Sequence, residues 1–413
     1  MSRMKKIYMD NAATTKVDPA VLETMLPYIA EDYGNASSLH VWGREADRAI
    51  ERAREQVAKS IGAKPSEIYF TSGATEANNW VLNAFARERD RKRVEKPADH
   101  HHGPPKKTFE KFPGERSGRI ITSRIEHPSI IETCQALEIE GFEIEYVDVD
   151  EFGSVRLDKL EEALRKCASL VSIMTASNEV GTVQDIGAIA KLCKKYNVPF
   201  HTDATQAIGK LELDVAKVGI DALSMSGHKL YGPKGAGALY VRDGIRLERF
   251  LHGGFQERKR RGGTHNTASI VGFGEAVELL FKRRDKDNKQ IQELRDYLIK
   301  KIEAEIPNVS LNGHRVKRLS NNVNFSFANI EGESILIMLD FAGVAVSTGS
   351  ACSSVSLEPS YVLFAMGVPI ELNQGSVRFT LGRHNTREEI DYTVGELGRI
   401  VADLRAMSPL EKE

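Results

Sequence analysis

One lysine in the sequence stands where its amine could react. Lys229 follows the short, largely apolar segment Asp221–Met225, which predicts a buried strand, and it precedes a glycine-rich run that contains Pro233. A lysine at the end of a buried strand is poorly hydrated, so the pKa of its amine can fall. The neutral amine is a nucleophile toward aldehydes, which is how Schiff-base enzymes begin their reactions. The alternative interpretation is a solvated lysine in a turn.

Residues that can bind an anion lie beside this lysine and in one distant segment. Ser226 and His228 offer donors, and the neighbouring glycines let backbone approach a phosphate closely. Ile68–Thr71 predicts a strand that runs directly into Ser72–Asn78, the beginning of a helix. Such a turn presents free N–H groups and the positive end of the helix dipole, although many similar turns are only turns. Together these features suggest that Lys229 carries pyridoxal phosphate (PLP).

A pyridoxal ring needs further partners, and the sequence offers candidates for them. Asp203 follows an apolar run, where its carboxylate could pair with the protonated ring nitrogen, with helix capping as the alternative role. Gln206 lies three residues further on and could reach the ring hydroxyl. His127 could stack on the ring and exchange protons with a substrate, although an isolated histidine is often structural.

A second candidate for covalent chemistry is a cysteine. Cys352 lies within Ser347–Ser356, a run of ten residues that are nearly all small or polar. Small residues cannot pack a core, so we expect an exposed loop with an accessible and nucleophilic thiol. Cys134, Cys167 and Cys193 fall within helical patterns instead, and we expect them to be core thiols. The alternative for Cys352 is an incidental surface cysteine.

The elements that must position these residues alternate between strand and helix patterns. This alternation predicts an α/β fold with a mainly parallel sheet and helices on both of its faces. Ligands of such sheets bind beyond the carboxyl ends of the strands. The candidates at strand ends are His127, Asn178, Asp203, Gln206 and Lys229.

The pattern changes after the basic segment Arg258–Thr264. A long amphipathic helix follows and ends before Pro307. Ser376–Leu381 then alternates like a half-buried strand, with Arg378 on the face opposite its apolar residues.

Residues 87–118 differ from their surroundings. They are rich in Arg, Lys, Pro and His without an apolar period, which predicts a surface insertion or a mobile loop. The run His100–His102 could bind a metal, with a solvated polar tract as the alternative. We expect a large domain over residues 15–263 that carries this insertion, and a small domain formed by residues 1–14 and 264–413.

Bulk properties exclude several classes of protein. The 413 residues carry a formal charge of -1, and 41% hydrophobic and 28% charged residues are typical of a soluble globular chain. No apolar run approaches the roughly 18 residues of a membrane span, and MSRMKKIYMD contains no apolar signal core. Four cysteines without a close pair argue against a disulfide framework. We therefore expect a cytoplasmic protein without a direct nucleic-acid or membrane partner and without a resident metal.

Four segments together resemble the PLP-dependent cysteine desulfurases of the class-V aminotransferase-like family. They are SGHKLYGPKGAGALYVR, HTDATQAIGK, TSGATEANN and TGSACSSVSLEPSYVL. The resemblance extends from Asp10 to about Pro409, apart from the insertion. It implies PLP-dependent transferase fold type I, with a large domain built on a mainly parallel seven-stranded sheet and a smaller α+β C-terminal domain. The long cysteine loop resembles the branch that supplies sulfur for iron–sulfur clusters and tRNA thiolation.

The resemblance also implies roles for individual residues. Lys229 would form the Schiff base with PLP, while Asp203, Gln206 and His127 would contact its ring. Asn178 and Arg378 would orient the substrate, L-cysteine, and Asn178 would also touch the cofactor. The residues expected around the phosphate are Ala74, Thr75, Ser226, His228 and, from the other subunit of a homodimer, Thr264.

Cys352 would attack the sulfur of the substrate, giving a persulfide and L-alanine. The persulfide would pass to an iron–sulfur scaffold protein or a sulfur-relay acceptor, where Cys352 could also ligate a cluster transiently. The insertion is longer than the usual connection, and the chain stops at Glu413 where relatives often continue with a tail that contacts the scaffold. The rival functions are another PLP enzyme of this fold, such as an aminotransferase or selenocysteine lyase, and a catalytically silent subunit that holds a partner.

Overall fold

The computed structural model of the protein describes residues 6–88, 118–245, 247–348 and 359–407. Cys352 lies outside the described residues, as do His100–His102 and most of the predicted insertion.

Strands and helices alternate through most of the described chain. The strands are β1 (Ile7–Tyr8), β2 (Ile68–Thr71), β3 (Ile120–Ser123), β4 (Ile144–Val147), β5 (Leu170–Ser172), β6 (Phe200–Asp203), β7 (Ala222–Ser226), β8 (Gly237–Val241), β9 (Val309–Leu311), β10 (Asn322–Phe327), β11 (Val344–Ala345) and β12 (Ser376–Thr380). The helices are α1 (Pro19–Met25), α2 (Pro27–Ala30), α3 (Val41–Ser60), α4 (Ala74–Glu88), α5 (Pro128–Ile139), α6 (Leu157–Leu164), α7 (Ile186–Lys195), α8 (Val215–Val218), α9 (Gln256–Lys259), α10 (Thr267–Glu305), α11 (Gly332–Phe341), α12 (Tyr361–Ala365), α13 (Ile370–Gln374) and α14 (Arg387–Met407). None of the described helices combines the length and apolarity that a membrane crossing needs.

A seven-stranded sheet is the centre of the larger hydrophobic core. Its order is β2-β8-β7-β6-β5-β3-β4. β8 is antiparallel to β2 and β7, and the other neighbouring pairs are parallel. The predicted α/β fold with a mainly parallel seven-stranded sheet is therefore confirmed. Most of these strands are buried along their whole length, because helices cover both faces of a parallel sheet.

A second hydrophobic core surrounds the antiparallel sheet β12-β10-β9. Helices α10, α11 and α14 pack around it, and Ile7 of β1 joins it through the parallel pairing of β1 with β11. The helix α10 belongs to both cores, since Phe273 packs in the first and Leu298 in the second. The division into two domains at residue 264 stays a prediction.

Two expectations from local patterns are wrong. β12 was expected to be half-buried, but all five of its residues are buried. One face of β12 contributes Val377 and Phe379 to the second core, and on the other face Thr380 and Arg378 bind the N-terminal segment through their side chains. Cys167 is exposed rather than a core thiol, because α6 ends at Leu164 before reaching it.

The N-terminal segment Met9–Thr15 connects β12 to the turn that follows β7. At one end, the Thr380 amide donates to Met9 O at 2.6 Å, and the Asn11 amide donates to Thr380 O at 3.1 Å. At the other end, the amide and hydroxyl of Thr15 both donate to His228 O at 2.9 Å. Residues from both ends of the sequence are thereby held against the carboxyl ends of the central strands.

The first residue of β8 allows a close approach that shapes the same edge of the sheet. A Cβ atom at Gly237 would lie 2.6 Å from Gly73 Cα and from Met225 O, and both of these are backbone atoms. The turn between β2 and α4 can therefore lie against β8 only where β8 has no side chain.

We predict that Gly237→Ala lowers the free energy of unfolding by about 1–3 kcal/mol, the usual range for overpacking a core. Gly395→Ala is the control, because Gly395 lies exposed in α14 with nothing within 4 Å of an added Cβ. That change should stabilise by about 0.5–1 kcal/mol, since alanine loses less backbone entropy in a helix. Urea unfolding measures both variants, and equal stability of the Gly237→Ala variant and the native protein would contradict the close approach.

Candidate active site

A cavity of about 570 Å³ opens at the carboxyl ends of the central strands. Ten of the twelve residues predicted for the site line it: Ala74, Thr75, His127, Asn178, Asp203, Gln206, Ser226, His228, Lys229 and Arg378. They come from segments spread over more than three hundred residues of the chain, so the fold itself brings them together.

The two remaining predicted residues are elsewhere. Thr264 is exposed and does not line this cavity. It was predicted to act on the cofactor of another subunit, which a single chain does not test. Cys352 lies outside the described residues, whereas Ser347 on the same segment pairs with Arg378 through backbone hydrogen bonds at 2.6 and 3.1 Å.

The amine of Lys229 is held at the wall of the cavity. Lys229 ends a short 3₁₀ turn, Gly227–Lys229, that directly follows β7. Its Nζ donates to Ala12 O at 2.5 Å and to Ala13 O at 2.7 Å. The amine is therefore fixed by two backbone carbonyls of the N-terminal segment, and a simple solvated turn lysine does not describe it.

The carboxylate of Asp203 is oriented by two N–H donors. Asp203 is the last residue of β6, and 7% of its surface is exposed. Its Oδ2 accepts from Asn78 Nδ2 at 2.7 Å, and its Oδ1 accepts from the Thr205 amide at 2.9 Å. The second contact is a local turn of the kind that aspartate favours. The first contact crosses from β6 to α4 and was not predicted.

His127 is the N-cap residue of α5, and its ring lines the cavity. Its Nδ1 accepts from the Ser129 amide at 3.1 Å and lies 2.9 Å from Ser129 Oγ. Burial lowers the pKa of the imidazole, and the charge of Lys229 lowers it further, while Asp203 opposes both effects. The structural and chemical roles of this histidine are thus compatible, because Nδ1 caps the helix while Nε2 is left for contact with a substrate.

The beginning of α4 is the part of the cavity best suited to an anion. Ala74 and Thr75 open the helix there, where N–H groups lack helical partners. Ser226 lies across from this turn, since a Cβ at Gly73 would be 3.6 Å from Ser226 Oγ. His228 Nδ1 lies 3.2 Å from Thr14 Oγ1.

His228 is neutral in this site. Burial, followed by the charges of Lys229 and Lys234, lowers the pKa of its ring to about 4. A bound anion would offset part of this effect, because opposite charge favours the protonated ring. Lys234 also lines the cavity, and sequence reasoning did not single it out.

Arg378 is buried at the opposite side of the site. Its Nη2 forms an ion pair with Asp10 Oδ1 at 3.0 Å, and its Nη1 donates to Asn178 O at 3.1 Å. Its Nε is buried without a hydrogen-bond partner among the described residues. A guanidinium has five N–H donors in a planar fork, so donors remain for a carboxylate group.

Gln206 is held by the N-terminal segment. Its Nε2 donates to Ala12 O at 3.0 Å, and the Lys229 amine donates to the same oxygen.

Two buried carboxyl groups beside the site were missed by sequence reasoning. Glu126 precedes His127 and accepts from Ser123 Oγ at 2.6 Å and from the Met174 amide at 3.0 Å. Burial raises the pKa of its carboxyl to about 8, with the charge of Asp203 adding and the hydrogen bonds opposing. Burial likewise raises the pKa of Glu179 to about 7. The only sequence signal was adjacency to a candidate residue.

The donor set fits a phosphate-bearing aldehyde such as PLP. One amine, one oriented carboxylate and one anion-binding helix N-terminus share the cavity, which are the three groups this cofactor requires. Within the described ranges, no three His, Cys, Asp or Glu side chains are arranged to hold a metal ion.

Comparison with known proteins agrees with this geometry. The family model Aminotransferase class-V matches residues 7–103 and 107–393. Cysteine desulfurase IscS of Dictyoglomus turgidum is 48% identical over 410 residues, covering 99% of this chain and 98% of that protein. Human cysteine desulfurase is 44% identical over 410 residues, covering 98% of this chain and 84% of that protein.

Solved structures agree with the sequence relatives. A NifS-like protein superposes with a TM-score of 0.85 at 37% identity, covering 97% of this chain and 100% of the other. A structure described as SspA in complex with cysteine gives a TM-score of 0.77 at 36% identity, covering 92% and 100%. The chain therefore belongs to the class-V aminotransferase family. Within that family it is a cysteine desulfurase.

The raised pKa of Glu126 leads to a prediction about stability. In the unfolded chain this carboxyl ionises near the ordinary glutamate pKa of 4.5, but in the folded protein it ionises near 8. The stabilising contribution of the neutral group is fully present below pH 4.5 and is lost as the pH rises through 8. Between these values the free energy of unfolding should fall by up to about 1.4 kcal/mol per pH unit from this group.

Glu126→Gln keeps a neutral side chain at this position, so its stability should depend less on pH than that of the native protein. The measurement is urea unfolding at pH 6 and at pH 8. Glu140→Gln is the control, because the pKa of exposed Glu140 is lowered by Arg87 and this group is ionised throughout that range. The same pH dependence in Glu126→Gln as in the native protein would show that Glu126 does not carry the proton.

Proposed function

We propose that this cysteine desulfurase holds PLP at Lys229 and converts L-cysteine to L-alanine, with the sulfur passing to Cys352. The observation that carries the proposal is the meeting of the Lys229 amine with the oriented carboxylate of Asp203 and the helix N-terminus at Thr75 in one cavity. The family to which the chain belongs supports the same choice.

Each part of the cofactor has a partner in this proposal. Lys229 binds the aldehyde, Asp203 pairs with the ring nitrogen, and His127 lies against the ring. When bound, PLP supplies an electron sink that stabilises charge left at Cα of the substrate. Further assigned contacts are Gln206 to the ring hydroxyl, Asn178 to the cofactor and the substrate, and Ala74, Thr75, Ser226 and His228 to the phosphate.

Arg378 binds the substrate carboxylate. Its guanidinium is buried and pre-oriented by Asp10 and by the carbonyl of Asn178, so that little side-chain freedom remains to be lost on binding. The buried Nε, which has no partner among the described residues, would gain one. A related structure contains bound cysteine, which supports this amino acid as the substrate.

Proton transfer and sulfur transfer are assigned to separate groups. Once the amine of the substrate has replaced it at the aldehyde, Lys229 Nζ is a free amine at the cavity wall and takes the proton from Cα of the substrate. Cys352 Sγ, as thiolate, attacks the sulfur of the substrate. A sulfur–sulfur bond forms while the carbon–sulfur bond breaks, and its electron pair stays on carbon. That carbon, Cβ of the substrate, takes up a proton, and Lys229 returns a proton to Cα, which yields L-alanine.

The family supports a choice of partners. We propose a homodimer in which exposed Thr264 reaches the phosphate site of the other subunit. The persulfide of Cys352 would be delivered to an iron–sulfur scaffold protein or another sulfur acceptor, as the IscS names of the relatives suggest. A cytoplasmic location stays a prediction.

The experiment that tests the proposal is incubation of the protein with L-cysteine, followed by an assay for alanine and mass mapping of the thiol that gains sulfur. We expect alanine and a persulfide on Cys352. Cys352→Ala should lose the persulfide and most of the alanine formation, because the nucleophile is gone.

Cys167→Ala is the matched control, since Cys167 is an exposed thiol that lies outside the cavity lining. It should leave alanine formation unchanged. Full alanine formation by Cys352→Ala would contradict the proposal and favour a selenocysteine lyase or another PLP enzyme of this fold. The absence of a Schiff-base absorption band would favour a silent subunit.

A further inference from the structure

A continuous chain of hydrogen bonds links the carboxylate of Asp203 to the imidazole of His127. Asn78 Nδ2 donates to Asp203 Oδ2 at 2.7 Å and to Ser129 Oγ at 2.8 Å. Ser129 Oγ lies 2.9 Å from His127 Nδ1. Asn78, on α4, and Ser129, on α5, are both buried, and neither was predicted to belong to the site.

The direction of the bonds in this chain is fixed at its two ends, by the Ser129 amide, which only donates, and by the Asp203 carboxylate, which only accepts. The Ser129 amide can only donate, and it donates to His127 Nδ1 at 3.1 Å. His127 Nδ1 therefore carries no proton, and the Ser129 hydroxyl must also donate to it. The hydroxyl in turn accepts from Asn78, whose amide nitrogen has two protons and uses one for Ser129 and one for Asp203.

The consequence is a single tautomer of His127. With Nδ1 accepting two hydrogen bonds, the proton of the neutral ring lies on Nε2. Among the described residues, the hydrogen bonds of the ring run through Nδ1 to Ser129, and the ring lines the cavity. The proton that His127 can exchange is thus on Nε2, and not on the nitrogen that Ser129 binds.

We propose that Asn78 and Ser129 are positioning residues that hold His127 with its proton on Nε2 for the reaction. This proposal rests on the proposed function, because a fixed tautomer matters for the reaction only if His127 faces the substrate. A purely structural role explains less, because the Ser129 amide alone satisfies the cap of α5. The Ser129 hydroxyl and Asn78 add nothing to that cap. They instead connect His127 by hydrogen bonds to Asp203, the carboxylate proposed to pair with the ring nitrogen of PLP.

The test measures the tautomer directly. Nitrogen NMR of histidine-labelled full-length protein, without cysteine, reports the share of each tautomer, and His127→Asn assigns its signals among the 11 histidines. We expect Nε2–H to dominate in the native protein. In Ser129→Ala, the loss of one of the two donors to Nδ1 should shift the tautomer ratio about fivefold toward Nδ1–H.

Two further variants separate positioning from folding. Ser129→Thr retains the hydroxyl and should restore the native tautomer ratio. Asn78→Ala changes a residue that binds His127 only through Ser129. It should still shift the tautomer ratio in the same direction as Ser129→Ala, because the Ser129 hydroxyl is then free to turn away from His127 Nδ1. In turnover of cysteine, Ser129→Ala should lower kcat several-fold with little change in KM.

An unchanged tautomer ratio in both Ser129→Ala and Asn78→Ala overturns the inference. So does dominance of Nδ1–H in the native protein. The NMR result does not require turnover, so a failure of the proposed function leaves it readable. Conversely, active protein with an unshifted ratio refutes the positioning role alone.

Discussion

The site depends on one constraint, the fixing of a lysine amine at the end of a buried strand. Lys229 cannot withdraw, because β7 is buried along its whole length, and its amine is bound by the carbonyl oxygens of Ala12 and Ala13. Those carbonyls are held in place because Met9–Thr15 is anchored to β12 at one end and to the turn after β7 at the other. The position of the amine therefore depends on how the two hydrophobic cores are placed relative to each other.

The charged groups around the cavity are controlled by burial and by donors. Asp203 has two N–H donors, so its charge is accommodated in a buried place. Glu126 lies nearby, and both burial and the charge of Asp203 raise its pKa. The half-buried imidazoles of His127 and His228 have lowered pKa values. The cavity thus combines imidazoles of lowered pKa with a small number of fixed charges, among them the amine of Lys229, which suits the binding of an anionic cofactor.

Much of this could be predicted from sequence, for physical reasons. The central strands are short apolar runs bounded by turn residues, and β2 has the predicted bounds. In a parallel sheet the residues after such runs share one edge, so His127, Asp203 and Lys229 could be grouped without a structure. Cys167 was misjudged because an apolar period does not mark the residue at which a helix ends.

Contacts between distant segments could not be predicted in this way. Asn78 meets Asp203 across 125 residues, and Arg378 meets Asp10 across 368. Local periodicity carries no information about such pairs, since they exist only after the sheet and the N-terminal segment have assembled. For the same reason the polar face of β12 was expected to meet solvent, although its residues are buried and bind Asp10 and Ala12.

The most direct test of the account is chemical trapping of the cofactor. The purified protein, kept free of cysteine, is reduced with borohydride, which converts a Schiff base into a stable amine, and peptide mapping then locates the label. We expect a single phosphopyridoxyl group on Lys229. Label on Lys234, which also lines the cavity, or on Lys210, whose pKa is lowered by burial and by the charge of Lys229, would contradict the account, as would the absence of any label.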